Sequence, residues 1–306
     1  VKRLALGLGL VVVAGAATAF MLTAPRPVAQ ERLEAITALE GDPAAGEALF
    51  WAGGCASCHA APGAEGDAKL VLSGGVRLKS DFGTFIGPNI SPDPDAGIGS
   101  WSVTDFANAM LAGVSPGGGH YYPAFPYGSY SRMSDGDIAD LFAFMQTLPA
   151  SDVASLPHEI GFPFNIRRSL GGWKLLFFTD APHVAVSDDP QIARGQYLVE
   201  GPGHCGECHT PRNPVGGFVG QSWLAGAQNP EGEGVIPNLT PGGKSISGWS
   251  ASDIAYYLES GFTPDFDSVG GSMVAVQKNM AKLTSGDRDA IAAYLKALPE
   301  RANGWE

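Results

Sequence analysis

The segment Gly53–Ala60 reads GGCASCHA, and the segment Gly203–Thr210 reads GHCGECHT. Together they hold all 4 cysteines of the 306-residue chain, each pair spaced Cys-x-x-Cys and followed at once by histidine. Outward from these pentapeptides the sequence repeats as well. GPNISPDPDAGIGSWSVTDFANAMLAGVSP (Gly87–Pro116) matches IPNLTPGGKSISGWSASDIAYYLESGFTP (Ile236–Pro264), and MSDGDIADLFAFMQTLP (Met133–Pro149) matches LTSGDRDAIAAYLKALP (Leu283–Pro299). Each copy follows its partner by about 150 residues, as do the two motifs, so the repeated unit is a domain of about 110 residues with one motif. That is a duplication; solenoid repeats are shorter.

Composition supports a packed, loop-rich fold. Hydrophobic residues make up 44% and charged residues 16%, while 42 glycines and 23 prolines favour short elements joined by structured loops. Each unit reads as helical. One helix leads into the motif (DPAAGEALFWAGG, then DPQIARGQYLVEG). A second begins at Ser102 or Ser250, N-caps with Asp105 or Asp253 at the third helical position, and a last one begins at Ser134 or Thr284. No segment shows strand alternation, so the expected fold class is all-α. The expected organisation is an N-terminal segment 1–24, a first domain 42–150, an inter-domain segment 151–188 and a second domain 189–300. A net charge of −12 offers no basic stripe for phosphates and excludes nucleic acid, but suits a partner that presents lysines and arginines.

Three chemistries use paired cysteines at this spacing. A disulfide oxidoreductase places Cys-x-x-Cys in a strand–helix unit, and no βαβ pattern is present. A structural zinc site needs four ligands and has no use for a histidine directly after each pair. Covalent haem c accounts for the whole pentapeptide, since two thiols add to the vinyl groups and the adjacent histidine stands under the iron. Two motifs in register therefore predict two covalently bound haem c groups, held by Cys55, Cys58, Cys205 and Cys208, with His59 and His209 on the irons. The second ring nitrogen of each histidine needs an acceptor. In monohaem c-type cytochromes it is a proline carbonyl, and Pro88 in GPNI and Pro237 in IPNL are assigned that role.

The sixth ligand separates carriers from catalysts, because a thioether raises the potential and closes the iron to small molecules. Met273 in GGSMVAV is expected to serve the second unit, with Met280 as packing. In the first unit the corresponding position is Phe125. Met133 is assigned there, with His120 or an open position as the alternatives.

The N-terminus is a separate object. Lys2 and Arg3 precede 19 uncharged residues, Leu4–Leu22, which as a helix would span roughly 28 Å, near the thickness of a bilayer core. The expectation is a membrane anchor with its basic end in the cytoplasm. It would place the protein in a bacterial inner membrane with both haem domains in the periplasm. A cleaved signal peptide ending in the small residues AGAATA is the competing reading.

GPNISPDPDAGIGSWS, HYYPAFPYGSYSRMSDGDI, PFNIRRSLGGWKLLFF and GGSMVAV resemble segments of the cytochrome c subunits of membrane-bound bacterial alcohol, gluconate, fructose and aldehyde dehydrogenases. The resemblance runs from about Asp42 to Pro299. It implies two tandem class I cytochrome c domains, periplasmic electron transfer, and a dehydrogenase or respiratory partner. Those subunits usually carry three haems and a C-terminal anchor, and many have methionine where Phe125 stands; both features differ here. The expected function is a relay of single electrons between a donor (dehydrogenase or quinol-oxidising complex) and an oxidase or soluble cytochrome. The rival is a dihaem enzyme of the peroxidase or thiosulfate-oxidising type acting at the first haem. Gly161–Phe178 reads as an aromatic, basic strut or a partner surface. Arg77, Trp101, Arg212 and Trp223 read as structural residues within reach of propionates, and His158, His183 and His204 as ordinary loop histidines.

Overall fold

The computed structural model describes residues 2–230 and 232–306, without the side chains of residues 2 and 4–8. Helices α1 (Lys2–Leu22) and α2 (Gln30–Thr37) lead into the first unit. That unit consists of α3 (Pro43–Ala52), α4 (Cys55–His59), strands β1 (Arg77–Ser80) and β2 (Gly83–Ile86), α5 (Val103–Ala112), α6 (Tyr127–Tyr130) and α7 (Asp135–Met145). Strand β3 (Glu159–Ile160) and α8 (Ser169–Phe177) lie between the units. The second unit contains α9 (Pro190–Glu200), α10 (Gly206–His209), β4 (Ala227–Gln228), β5 (Val235–Ile236), α11 (Ala251–Ser260), α12 (Met273–Met280) and α13 (Ser285–Ala297).

Local chemistry sets the helix ends. Asp42 and Asp189 cap α3 and α9, each with proline in the first turn. Ser102 and Ser250 form complete capping boxes with Asp105 and Asp253, while Ser134 and Thr284 cap α7 and α13. The helix leading into each motif crosses the last helix of its unit at a glycine. A Cβ on Gly46 would run into the Asp140 carbonyl on α7, and one on Gly195 into the Ala290 carbonyl on α13. Two apolar clusters result. One gathers Phe50, Leu72, Phe106, Ile138 and Phe144, the other Leu198, Trp223, Leu258, Ile291 and Leu295.

Two expectations need correction. The fold is mostly helical, but β1 and β2 form an antiparallel hairpin with Arg77 opposite Ile86; β3 joins β2, and β4 pairs with β5. These strands are two to four residues long, too short to show an alternating pattern. The second correction concerns the anchor. Among the described residues no helix is long and apolar enough to cross a membrane. Residues 4–8 of the expected anchor lie outside the described side chains. The C-terminal end of α1 packs on protein: Arg168 sits 4.0 Å from the Phe20 ring and donates to Thr23 Oγ1 at 3.2 Å. The transmembrane helix and the inner-membrane location built on it are not supported.

The inter-domain segment binds both units. Lys174 on α8 donates to the carbonyls of Ala112 (2.6 Å) and Gly113 (2.9 Å), closing the end of α5. Arg167 donates to the His120 carbonyl at 3.0 Å, and Trp173 Nε1 to the Val215 carbonyl of the second unit at 3.1 Å.

Candidate functional site

Helix α4 is barely more than one turn, entered through Gly54 at φ +58°, a conformation glycine adopts without strain. Residues three and four apart on a helix share a face, so Cys55, Cys58 and His59 project together. His59 Nδ1–H donates to the Pro88 carbonyl at 2.8 Å, and His209 Nδ1–H to the Pro237 carbonyl at 2.7 Å. A carbonyl only accepts, so the proton is on Nδ1 and each Nε2 keeps a free lone pair. Burial pushes both imidazoles below their ordinary pKa, outweighing the opposing pull of the carbonyls, and keeps them neutral.

Each proline carbonyl is held in place by the asparagine that follows it. Asn89 is buried, donates to the carbonyls of Ser151 (2.7 Å) and Val153 (2.8 Å), and accepts from Ser91 N. Asn238 donates to the Arg301 carbonyl at 3.0 Å and accepts from Thr240 N at 2.8 Å. The repeated Pro-Asn dipeptide was the signal for this pair; only the prolines were read from it.

The donor set fits haem c better than the other cysteine chemistries. Burial pushes the Cys55 and Cys205 thiols up to about 12, and raises Cys58 as well. A redox-active pair needs a thiol shifted the other way. Among the described residues no group of three or more His, Cys, Asp or Glu is placed to hold a metal ion. Paired thiols within one helical turn of a neutral imidazole with a free Nε2 suit thioether attachment and an axial nitrogen.

Met133 is fully buried between α6 and α7, and Met273 is the first residue of α12, half-buried against the second core. Met280 is buried at the end of α12. Phe125 packs among Tyr121, Tyr127 and Tyr130. His120 is buried with Nε2–H on the Thr23 carbonyl at 3.0 Å.

The two motif turns touch each other, a feature the sequence did not reveal. His204 occupies the position that Gly54 fills in the first motif, and its Nε2–H donates to the Gly53 carbonyl at 3.1 Å. The Tyr130 hydroxyl donates to the same carbonyl at 3.2 Å, with its ring edge-on to His204. Asn279 Nδ2 donates to Ser57 Oγ at 3.0 Å, and Ser129 Oγ donates to Glu207 Oε1 at 3.0 Å. Ser57 and Glu207 are the same position of the two motifs, and Ser129 and Asn279 are related by the same offset of 150 residues. The two cross-unit bonds are thus images of one another under a pseudo-twofold axis between the motifs.

A buried polar network lies beside this contact. Glu200 accepts from Gln196 Nε2 (3.0 Å), the Tyr294 hydroxyl (2.7 Å) and His183 N (2.8 Å). Arg132, next to Met133, donates to His183 Nε2 at 3.1 Å, and His183 stacks on Trp223 with centroids 3.6 Å apart. Burial, then the Arg132 charge, pushes His183 from 6.5 down to about 3. Between those values the unfolded chain binds a proton that the folded chain does not, so stability falls as pH drops from 6.5 towards 3. The slope from this residue is at most about 1.4 kcal/mol per pH unit. Melting curves of His183→Phe should show a shallower acid-side decline than the parent, whatever the change in absolute stability. An unchanged slope would place the titration elsewhere.

The cytochrome c family signature matches residues 43–149. A protein of Cereibacter sphaeroides described as "Diheme cytochrome c-type" is 56% identical over 300 residues, 97% of this chain and 98% of that protein. The cytochrome c subunit of alcohol dehydrogenase (quinone) from Gluconobacter oxydans is 36% identical over 260 residues, 82% of this chain and 53% of the subunit. The gluconate 2-dehydrogenase cytochrome c subunit of Pantoea cypripedii is 36% identical over 263 residues, 83% and 58% respectively. The chain thus spans just over half the length of these two dehydrogenase subunits.

Proposed function

The chain belongs to the cytochrome c family, carries two covalently bound haem c groups and works in electron transfer; on that premise we propose that it relays single electrons from one unit to the other. The proposed donor is a dehydrogenase or quinol-oxidising complex, and the proposed acceptor an oxidase or soluble cytochrome. The carrying observation is the direct contact of the two motif turns through His204–Gly53, flanked by Asn279–Ser57 and Ser129–Glu207, which tie each motif to a helix of the other unit. Redox groups attached to these two turns would be carried on segments that contact each other directly. The units are assigned to residues 42–150 and 189–300, with 151–188 as their connection.

In this reading Cys55, Cys58, Cys205 and Cys208 are the thioether positions, and His59 and His209 are the proximal ligands, oriented by Pro88 and Pro237. The bound iron supplies one-electron chemistry; the polypeptide sets its environment and its reach. Met133 and Met273 are the assigned opposite ligands, since a thioether favours the reduced iron. Met273→Ala should lower the potential of one haem and leave the other unchanged in a redox titration. Two unaltered potentials would move the sixth position away from Met273.

The relay is tested on the intact haem-loaded protein. A stoichiometric anaerobic reductant should be consumed at two electrons per chain, and the reduced protein should be reoxidised by an added soluble cytochrome. Rapid cyanide binding together with peroxide turnover would overturn the relay in favour of a catalytic haem.

A further inference from the structure

The duplication allows each face of one unit to be compared with the same face of the other. In the first unit α5 and the loop after it are covered by the chain itself. Asn108 Oδ1 accepts from Val28 N at 2.9 Å, Lys174 and Arg167 bind the carbonyls of Ala112, Gly113 and His120, and the Tyr122 hydroxyl donates to the Phe164 carbonyl at 3.1 Å. The cover is a chain segment that is both basic and aromatic. Val114 and His120 beneath it are 5% and 4% exposed.

The second unit builds the same loop. Ser115 N to the Gly119 carbonyl and Thr263 N to the Asp267 carbonyl are equivalent bonds of 2.8 Å, and the bridges Val114–His120 and Phe262–Ser268 correspond. Here the face is bare. Tyr256, at the position of Asn108, is 56% exposed, Phe262, at that of Val114, is 47% exposed, and Phe266 is 90% exposed. Phe266 also replaces Gly118. Both sit at positive φ, +63° and +74°, in a region that glycine occupies freely and a bulky aromatic residue does not. The second unit therefore accepts backbone strain to hold a phenyl ring in water. Asp265 and Asp267 flank that ring where the first unit has Gly117 and Gly119. Helix α11 ends beside it with no basic residue in its last turn, adding the negative end of its dipole. Glu259 on the same helix is already paired with Arg288 at 3.2 Å, so the unbalanced charge is that of the two aspartates.

We propose that Tyr256, Phe262 and Phe266, flanked by Asp265 and Asp267, form the docking surface of the second unit for a redox-partner protein that presents an apolar patch among lysines or arginines. That chemistry is what the chain itself lays on the equivalent face of the first unit. Charges at the rim steer encounter and the exposed rings supply the contact. The partner's being a redox protein rests on the relay reading; the surface itself rests on the comparison between units.

The test uses the intact haem-loaded protein and a lysine-rich soluble cytochrome c as the basic probe, with binding measured by calorimetry and electron transfer by stopped flow, both at low ionic strength. Asp265→Lys/Asp267→Lys should weaken binding at least tenfold. Glu40→Lys/Asp152→Lys, an equal charge change at exposed positions elsewhere, should alter it less than threefold. Phe266→Gly restores the residue of the sister unit. It should keep or raise the melting temperature and still weaken binding at least fivefold. No binding by the parent, or equal weakening by both charge variants, overturns the docking surface. Specific binding without electron transfer keeps the surface and overturns the relay.

Discussion

Replacing Cys205 and Cys208 together by alanine lowers the haem content from two groups per chain to one. The mass of the intact chain should show a single porphyrin adduct, and the pyridine haemochrome absorbance should fall by roughly half. Cys208 lies on the short helix α10 and Cys205 is the residue that precedes it, the corresponding pair lies on α4, and no other cysteine exists to replace either. Burial raises the Cys205 thiol to about 12, so removing it from the apoprotein unbalances no buried charge, and Cys208 is exposed. His209 would still be held by Pro237, but a single axial nitrogen tethers far less firmly than two thioethers. The second unit should then melt at lower temperature and separately from the first, because its core residues Trp223 and Leu224 lie close to the motif. Cys55→Ala/Cys58→Ala should do the same to the first unit. A variant that retained two adducts would overturn the assignment of the cysteines.

What the sequence disclosed follows from how local each signal is. Cys-x-x-Cys-His is five contiguous residues whose chemistry needs no distant partner, so the cofactor and the family were readable at once. The capping boxes at Ser102 and Ser250 span four residues and were readable for the same reason. The short strands were not, since pairings such as Thr84 with Glu159 depend on where the chain returns. The N-terminal run was read from length and hydropathy alone. The contacts of its C-terminal end with Arg168 and Gly171 lie about 150 residues away and leave no local trace.

The contact between the motifs was hidden for a different reason. Periodicity shows that two units exist but says nothing of the axis relating them. Ser57, Ser129 and Asn279 are small polar residues with no distinguishing neighbours, and their meaning appears only when the offset of 150 is combined with the bonds they make. His204 and His183 read as loop histidines, and their loops are folded between the units. Phe125 marked a difference between the copies, but the larger asymmetry, Phe266 in place of Gly118, required the backbone angle to be seen.

The crossing of the motif-leading helix with the last helix of each unit carries the second large effect. Gly195→Val should destabilise the second unit by more than about 3 kcal/mol, the upper end of the range for inserting volume into a packed core. A Cβ at Gly195 would reach the Ala290 carbonyl oxygen, lie 2.5 Å from its carbon and lie 2.9 Å from Tyr294 Cβ. The obstacle is helix backbone, which cannot turn aside as a flexible side chain would. Gly46→Val should act alike on the first unit, where the Asp140 carbonyl carbon lies 2.6 Å and Phe144 Cβ 2.8 Å from the added atom. Alanine at either site should cost less, roughly 1–3 kcal/mol of overpacking against a gain of about 1 kcal/mol in helix propensity. Gly136, in the first turn of α7 with only Ser134 Oγ at 4.0 Å, is the control, and Gly136→Ala should be neutral or stabilising by up to about 1 kcal/mol. Denaturant unfolding of the haem-loaded protein, followed through the Soret band, measures all of these. Because Tyr294 also bonds Glu200 in the network beside the second motif, Gly195→Val should disturb that network as well, and Gly46→Val should leave it intact. If Gly195→Val melted like the parent, the close helix crossing, and the rigid seat it gives the second haem, would be wrong.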